Sequence, residues 1–331
     1  MVRSTAFGAG LDLADVTRTL PAPHAARLAD ALGPVRAGGD DAAFADDATA
    51  AVLPHLPAEV LHGLLGLRDP GAPGVLLVRG LPVDRDLPPT PTDRERGDPR
   101  GLAPVATGAL VGTTRLLGEP YGYRGEYHGD LVTHVLPTRA AADAVSSSGA
   151  RAVLPHHSES VHLHPHSPDF VALLCLRGDP TADARTSVVA AGDVCARLPE
   201  DVLEVLRLPL FHVRAPLSFG GHTMGSGPIP LISGPSSAPE VHAEFADMRG
   251  IDDRAQRAMA AFEQRCGGCA TQVALEAGDL LVLDNRKVLH GRSSFAPQWR
   301  GLDRWCLRVL VRSGDLWSSR VYLDGRHRLV F

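Results

Sequence analysis

The chain has 331 residues, 44% of them hydrophobic, enough for one large domain with a sizeable core or for two ordinary ones. A formal net charge of −5 argues against a general nucleic-acid surface. No apolar run is long enough to span a bilayer, and the opening Met1-Val-Arg-Ser-Thr-Ala-Phe-Gly8 lacks the apolar core of a signal peptide, so a cytoplasmic location is expected.

In chain order, helical patterns run from Ala25 to Leu32, from Asp41 to Leu53 and from Pro57 to Leu67. Pro54 ends the second, because a proline disfavours helix at the residue before it, and Pro57 suits the first turn of the third. Val75 to Val78 reads as a strand ending at Gly80, and Leu87 to Arg100 as a surface loop rich in Pro, Asp and Arg. Residues 138–152 are small and polar, and either fold over a pocket or lie exposed. Asp169 to Arg177 is a buried strand, and Leu198 to Leu206 a short helix with acidic residues in its first turn. Residues 214–238 hold many Gly, Ser and Pro with little periodicity; a loop this long in a compact domain is usually functional, and it reads as part of a lid over 214–245. Asp252 to Arg265 is a helix with Ala255, Met259 and Phe262 on one face.

Five cysteines do not suggest a secreted disulfide framework. Cys266-Gly-Gly-Cys269 has no second pair to complete a zinc site, and it reads as a loop with two free thiols. Cys175, Cys195 and Cys306 sit among apolar residues and read as small core side chains.

The chemistry concentrates in His157-Ser158-Glu159 and in His290, which lies 131 residues beyond Glu159. In a strand, residues i and i+2 point to one side, so His157 and Glu159 reach a common metal while Ser158 points away. Two histidines and one carboxylate occupy one face of a six-coordinate iron(II) and leave the rest open. His156, His162, His164 and His166 crowd the motif, but only His157 has a carboxylate at i+2 and a downstream partner block. Leu280–Leu283 is a buried strand after the turn at Gly278-Asp279, and Asp284-Asn285 ends it before Leu289-His290-Gly291-Arg292-Ser293-Ser294-Phe295. Fourteen residues after His290, Arg304 opens a strand in which Trp305, Leu307, Val309 and Val311 alternate with Arg304, Cys306, Arg308 and Leu310. An inward arginine needs an anion, and its forked donors suit a carboxylate. Arg304 and Arg308 share a face about 13 Å apart at ~3.3 Å per residue, too far to grip one carboxylate in equivalent postures.

These segments, with Gly74–Pro82 and Leu117-Gly-Glu-Pro-Tyr-Gly122, resemble the iron(II)/2-oxoglutarate-dependent oxygenases of the clavaminate synthase and taurine dioxygenase superfamily. The resemblance spans roughly residues 70–315, and is nearest the branch that hydroxylates arginine and asparagine for peptide antibiotics. The block from Gly278 to Arg308 is its most specific part. Ser158 departs from the Thr or Asp often found in relatives, at a position that is not a ligand.

The resemblance implies an α+β fold: a double-stranded β-helix (jelly roll) with flanking helices and a lid insertion. Periodicity alone supports only mixed α and β. It implies one oxygenase domain over 1–331, with a mainly helical part over 1–70 packed on the barrel. His157, Glu159 and His290 are the implied iron ligands, and Arg304 the implied holder of the 2-oxoglutarate distal carboxylate. Arg308 is either a second co-substrate contact or a barrel-end salt bridge, and Thr186 either touches the same carboxylate or is a structural strand residue. Positions near Glu126 and Glu244 match substrate-contacting residues, with Asp130 and Asp247 close enough to stand in for them, or these are ordinary surface glutamates; two buried carboxylates there suit a cationic side chain. The implied reaction uses iron(II), 2-oxoglutarate and O2 to hydroxylate an unactivated carbon of a free polar or basic L-amino acid, with no nucleic-acid or membrane partner. A desaturase or cyclase of the same family, a taurine-type dioxygenase and a non-catalytic metal-binding barrel stand as alternatives, and Arg304 argues against the last.

Overall fold

A computed structural model describes residues 10–35, 40–93, 98–216, 219, 225–313 and 328–329. After a helical turn at Leu13–Val16 and strand β1 (Thr17–Thr19) come α1 (Ala22–Leu32), α2 (Asp41–Val52) and α3 (Ala58–Gly66). The prolines at 21 and 23 fall in the first turn of α1, where a missing N–H costs nothing, so the helix starts before the expected Ala25. Asp40 caps α2 by accepting from the Ala43 N–H at 2.8 Å. Pro54 sits in a short 3-10 turn, Leu53–His55, that closes α2.

Helix α4 (Pro104–Thr114) has no counterpart in the sequence reading. Every residue from Ala106 to Thr114 is buried, so it carries no amphipathic period to read. It crosses α2 almost backbone to backbone: a Cβ on Gly112 would stand 2.5 Å from the Ala48 carbonyl oxygen. Farther on, α5 (Glu200–Leu206) follows Pro199, and α6 (Asp253–Cys269) is capped by Asp252. Helix α6 runs past the expected Arg265, so Cys266 and Cys269 lie buried on its last turn and not in a loop. All five cysteines are free thiols.

The strands form two main sheets. The larger contains β2 (Val75–Arg79), β3 (Glu119–Tyr123), β4 (Val132–Val135), β6 (Phe170–Arg177), β9 (Leu280–Asp284) and β11 (Trp305–Arg312), in the order β1-β2-β9-β6-β11-β3, with β4 also on β11 and Arg328–Leu329 on β3. The smaller sheet joins β5 (Leu154–His157), β7 (Thr186–Ala190), β8 (Thr271–Val273) and β10 (Val288–Arg292) in the antiparallel order β8-β7-β10-β5.

Strand alternation sorts the core into layers. Leu76, Val78, Leu174, Val282, Leu307 and Val309 face α1–α4, while Leu77, Leu173, Leu281 and Cys306 face Val188, Val273 and Val288 of the smaller sheet. The outer face of the smaller sheet, at Val189 and Leu289, is covered by α5, α6 and the segment 211–248. Two facing sheets with helices outside them make the mixed jelly-roll arrangement that the resemblance implies.

Within 225–250 the chain is not one loop. It forms short strands at Ser226–Ile229, Ile232–Ser233, Glu240–Val241 and Met248–Gly250. Of the expected lid, residues 217–218 and 220–224 lie outside the described residues. Among the described residues no helix is long and apolar enough to cross a membrane.

Two glycines give opposite tests of helix packing. Gly112→Ala forces a methyl against the Ala48 carbonyl and lowers stability by about 1–3 kcal/mol. Gly267→Ala, exposed on α6 with nothing within 4 Å of its added Cβ, raises stability by up to ~1 kcal/mol. Urea unfolding of the two variants reads both signs.

Candidate active site

The smaller sheet builds the centre of the site. β5 and β10 run antiparallel with His157 directly opposite His290, and their ring centroids are 4.3 Å apart. The register then shifts between His290 and Arg292. Gly291 permits this, since a Cβ there would meet the Leu154 carbonyl oxygen at 2.7 Å. Ser158 points away, its hydroxyl donating to the Val241 carbonyl at 3.2 Å. Glu159 returns to the histidine side.

The Asn285 side chain holds Glu159 from both sides of its backbone. Its Oδ1 accepts from the Glu159 N–H at 2.6 Å, and its Nδ2 donates to the carbonyls of Glu159 and Pro168 at 3.1 and 2.9 Å. Asn285 carried no role in the sequence reading; only its place at the end of β9 marked it.

One ligand atom from each of His157, Glu159 and His290 falls within 4.8 Å of the others. Nδ1 of His157 lies 2.9 Å from the Pro155 carbonyl, which fixes the proton on Nδ1 and leaves a lone pair on Nε2. Burial pushes His290 down to about 3 against the pull of Glu159, so its ring is neutral. Burial works to raise the Glu159 carboxyl, but the Arg308 guanidinium beside it holds it below the usual carboxylate range. A carboxylate and two imidazoles with free lone pairs are the donor set that an iron(II) facial triad requires. The neighbouring histidines take other partners: His156 Nε2 meets Ser187 Oγ at 2.8 Å, His164 packs on His242 and His162 on Phe219.

A cavity of about 950 Å³ opens on the triad. On one wall Arg304, buried, donates from Nη2 to Thr186 Oγ1 at 3.4 Å. Arg292 lies beside it, donating to the carbonyls of Gly149 and Ala152 at 2.7 and 3.1 Å. Burial, then the Arg304 charge, pushes Arg292 down to about 10. Among the described residues no carboxylate lies within 4 Å of either guanidinium, so this corner is a cationic pocket. Arg292 went unremarked in the sequence because nothing local distinguishes it from a strand-end arginine.

Arg308 occupies a different corner. Its Nη2 donates to Glu126 Oε2 at 2.9 Å, its Nη1 to Glu159 Oε1 at 3.0 Å, and its Nε to Thr133 Oγ1 at 3.2 Å. Burial disfavours its charge, but Glu126 and Glu159 outweigh that and raise its pKa. Arg308 of β11 and Arg304 just before that strand therefore line separate parts of the cavity. Glu244 bridges His157 through its backbone and lines the cavity, where burial lifts its carboxyl above the usual range despite the pull of His157. Ala141 and residues 144–148 also line it, so the small polar segment before the metal motif folds over the pocket.

Residues 230–310 match the family described as taurine catabolism dioxygenase TauD, TfdA. The chain is 34% identical over 266 residues to an L-asparagine oxygenase of Streptomyces coelicolor, covering 80% of this chain and 78% of that protein. It is 34% identical over 249 residues to an L-lysine 3-hydroxylase of Catenulispora acidiphila, covering 72% and 67%. A crystal structure of asparagine oxygenase with Fe(II), 2S,3S-3-hydroxyasparagine and succinate superposes with a TM-score of 0.87 at 31% identity, over 96% of this chain and 99% of that one. The chain belongs to the iron(II)/2-oxoglutarate-dependent oxygenases of the clavaminate synthase and taurine dioxygenase superfamily, in the branch of amino-acid hydroxylases.

Proposed function

We propose that this enzyme hydroxylates an unactivated carbon of a free polar or basic L-amino acid, arginine-like first. The observation that carries this reading is the buried Arg308–Glu126 pair on the cavity wall, beside the triad. A free amino acid brings a carboxylate and an ammonium a few bonds apart. Arg308 takes the first and Glu126 the second, so each buried charge exchanges one partner for another and none is stranded. A sulfonate without an amine leaves Glu126 without a cation once Arg308 turns to the ligand. A carrier-bound aminoacyl group lacks the α-carboxylate for Arg308.

His157, Glu159 and His290 hold the iron. Iron so held, with 2-oxoglutarate and dioxygen, supplies the oxidation that inserts one oxygen atom into the substrate as succinate and carbon dioxide leave. Arg304, with Thr186 and Arg292, fixes the distal carboxylate of 2-oxoglutarate. Arg308 acts on the amino acid and not on the co-substrate. Glu244 receives a cationic substrate side chain, and the segment 214–245 closes over the cavity as a lid that excludes water. Residues 1–331 form one oxygenase domain, with 1–70 as a mainly helical part packed on the barrel. The enzyme works in the cytoplasm on a small molecule, with no nucleic-acid or membrane partner. It serves natural-product biosynthesis.

Replacing His157 or His290 by Ala abolishes iron(II) binding, read by anaerobic metal titration, and succinate formation coupled to substrate. Coupled turnover retained in both variants refutes the ligand assignment. Arg304→Met raises KM for 2-oxoglutarate and spares KM for the amino acid, whereas Glu126→Gln does the reverse. Each removes a charged hydrogen bond worth about 1.5–3 kcal/mol, roughly a ten- to hundredfold effect. Mass spectrometry of products from arginine, lysine, asparagine, glutamine and histidine identifies the substrate, and activity confined to a sulfonate or a carrier-bound substrate overturns the reading.

Glu244 adds a pH dependence. Below its raised pKa the carboxyl is neutral and its grip on a cation weakens, so KM for a basic substrate falls as pH rises through that pKa and then levels. Glu244→Gln flattens that limb of the KM profile.

A further inference from the structure

Strands β6 and β11 carry two thiols on one rung. Cys306 is the register partner of Cys175, and neither has measurable exposure. The Cys175 N–H donates to the Asp279 carbonyl and its carbonyl accepts from the Gly278 N–H, both at 2.9 Å, on the edge of β6 away from β11. The rung is therefore a non-hydrogen-bonded one, in which opposed Cα atoms lie about 4.5 Å apart and side chains approach most closely. A disulfide spans Cα separations of roughly 4.4–6.8 Å.

Both side chains point between the sheets and join one apolar cluster with Val135 and Leu173. Those two residues line the cavity, as do Arg304 and Arg308, which flank Cys306 on the same strand face. The thiols thus lie one layer beneath the cavity floor, within reach of a small diffusible oxidant. The Cys175 thiol donates to the Leu275 carbonyl at 3.5 Å, which occupies its proton. Cys306 stands between Arg304 and Arg308 in sequence, and the guanidinium charge favours a thiolate there, so Cys306 is the attacking sulfur and Cys175 the resolving one.

We propose that Cys175 and Cys306 are a redox modification site, at which hydrogen peroxide forms a reversible cross-strand disulfide beneath the co-substrate pocket. The Cys306 thiolate attacks one peroxide oxygen and breaks the O–O bond. Hydroxide leaves and takes up the proton that the Cys306 thiol gave up, so the peroxide is reduced to water and the sulfur becomes a sulfenic acid. The Cys175 sulfur then attacks that sulfur. The S–O bond breaks, its oxygen leaves as a second water with the Cys175 proton, and the disulfide closes. The bond ties β6 to β11 two residues from Arg304, so oxidation weakens 2-oxoglutarate binding; this consequence rests on the role given to Arg304 above.

The test treats the full-length, iron-free protein with hydrogen peroxide, then unfolds it, alkylates free thiols and maps the peptides. The expected result is a Cys175–Cys306 link and loss of two hydrogen masses. After iron is restored, KM for 2-oxoglutarate is raised several-fold, and dithiothreitol reverses the change. Cys175→Ala and Cys306→Ala each keep their KM through the same treatment, with the serine variants used where an alanine variant fails to fold. Five alkylatable thiols after oxidation, or a link between Cys266 and Cys269 instead, overturns the proposal. A Cys175–Cys306 link that leaves KM for 2-oxoglutarate unmoved keeps the modification site and overturns its coupling to Arg304.

Discussion

The antiparallel rung that sets His157 against His290 governs the rest of this molecule. Backbone pairing of β5 with β10 brings together side chains that are 133 positions apart and holds the rings at 4.3 Å. The third donor is fixed separately, because Glu159 lies just past the end of β5 and relies on the Asn285 amide to hold its backbone. Sheet hydrogen bonds thus supply the placement, and the chemistry of the donors supplies the affinity.

Charge balance follows from that placement. A buried carboxylate at the metal position needs a cation, and Arg308 provides one while sharing itself with Glu126. The opposite wall is the mirror case: Arg304 and Arg292 stand together with no carboxylate within 4 Å among the described residues, and their charges repel. The cavity thus divides into a wall of two guanidinium groups and a wall where one guanidinium is already paired with two carboxylates.

The readable parts of the sequence were those in which a period or a spacing reflects geometry directly. The i, i+2 spacing of His157 and Glu159, the alternation along β11 and the apolar run of β9 each follow from strand pleating. The fold was legible to the extent that strands betray which face they bury. Helix α4 was not, because burial on all sides erases its contrast; its glycines serve close approach, Gly108 to Leu32 of α1 and Gly112 to Ala48 of α2. Asn285 and Arg292 escaped because their partners are backbone groups, and backbone groups leave no trace in composition. For Arg308 the sequence left a second co-substrate contact and a barrel-end salt bridge both open, because one-dimensional spacing cannot tell which wall of a cavity a side chain will reach. The end of α6 was misjudged for a local reason: Gly267 and Gly268 suggest a loop, yet Cys266 and Cys269 bury themselves on one side of a continuing helix.

Strand β11 does two jobs at once. Trp305, Leu307 and Val309 seat the helical layer, while Arg308, with Arg304 just before the strand, lines the cavity from its other side. Because the pleat repeats every two residues, an odd-numbered insertion or deletion inside the strand exchanges the two faces. It sets guanidinium groups among leucines and an indole in the cavity. The preceding stretch, residues 293–303, has no such parity to keep. Among descendants of this gene, length variation should therefore collect in that stretch, and the strand itself should change only by substitution.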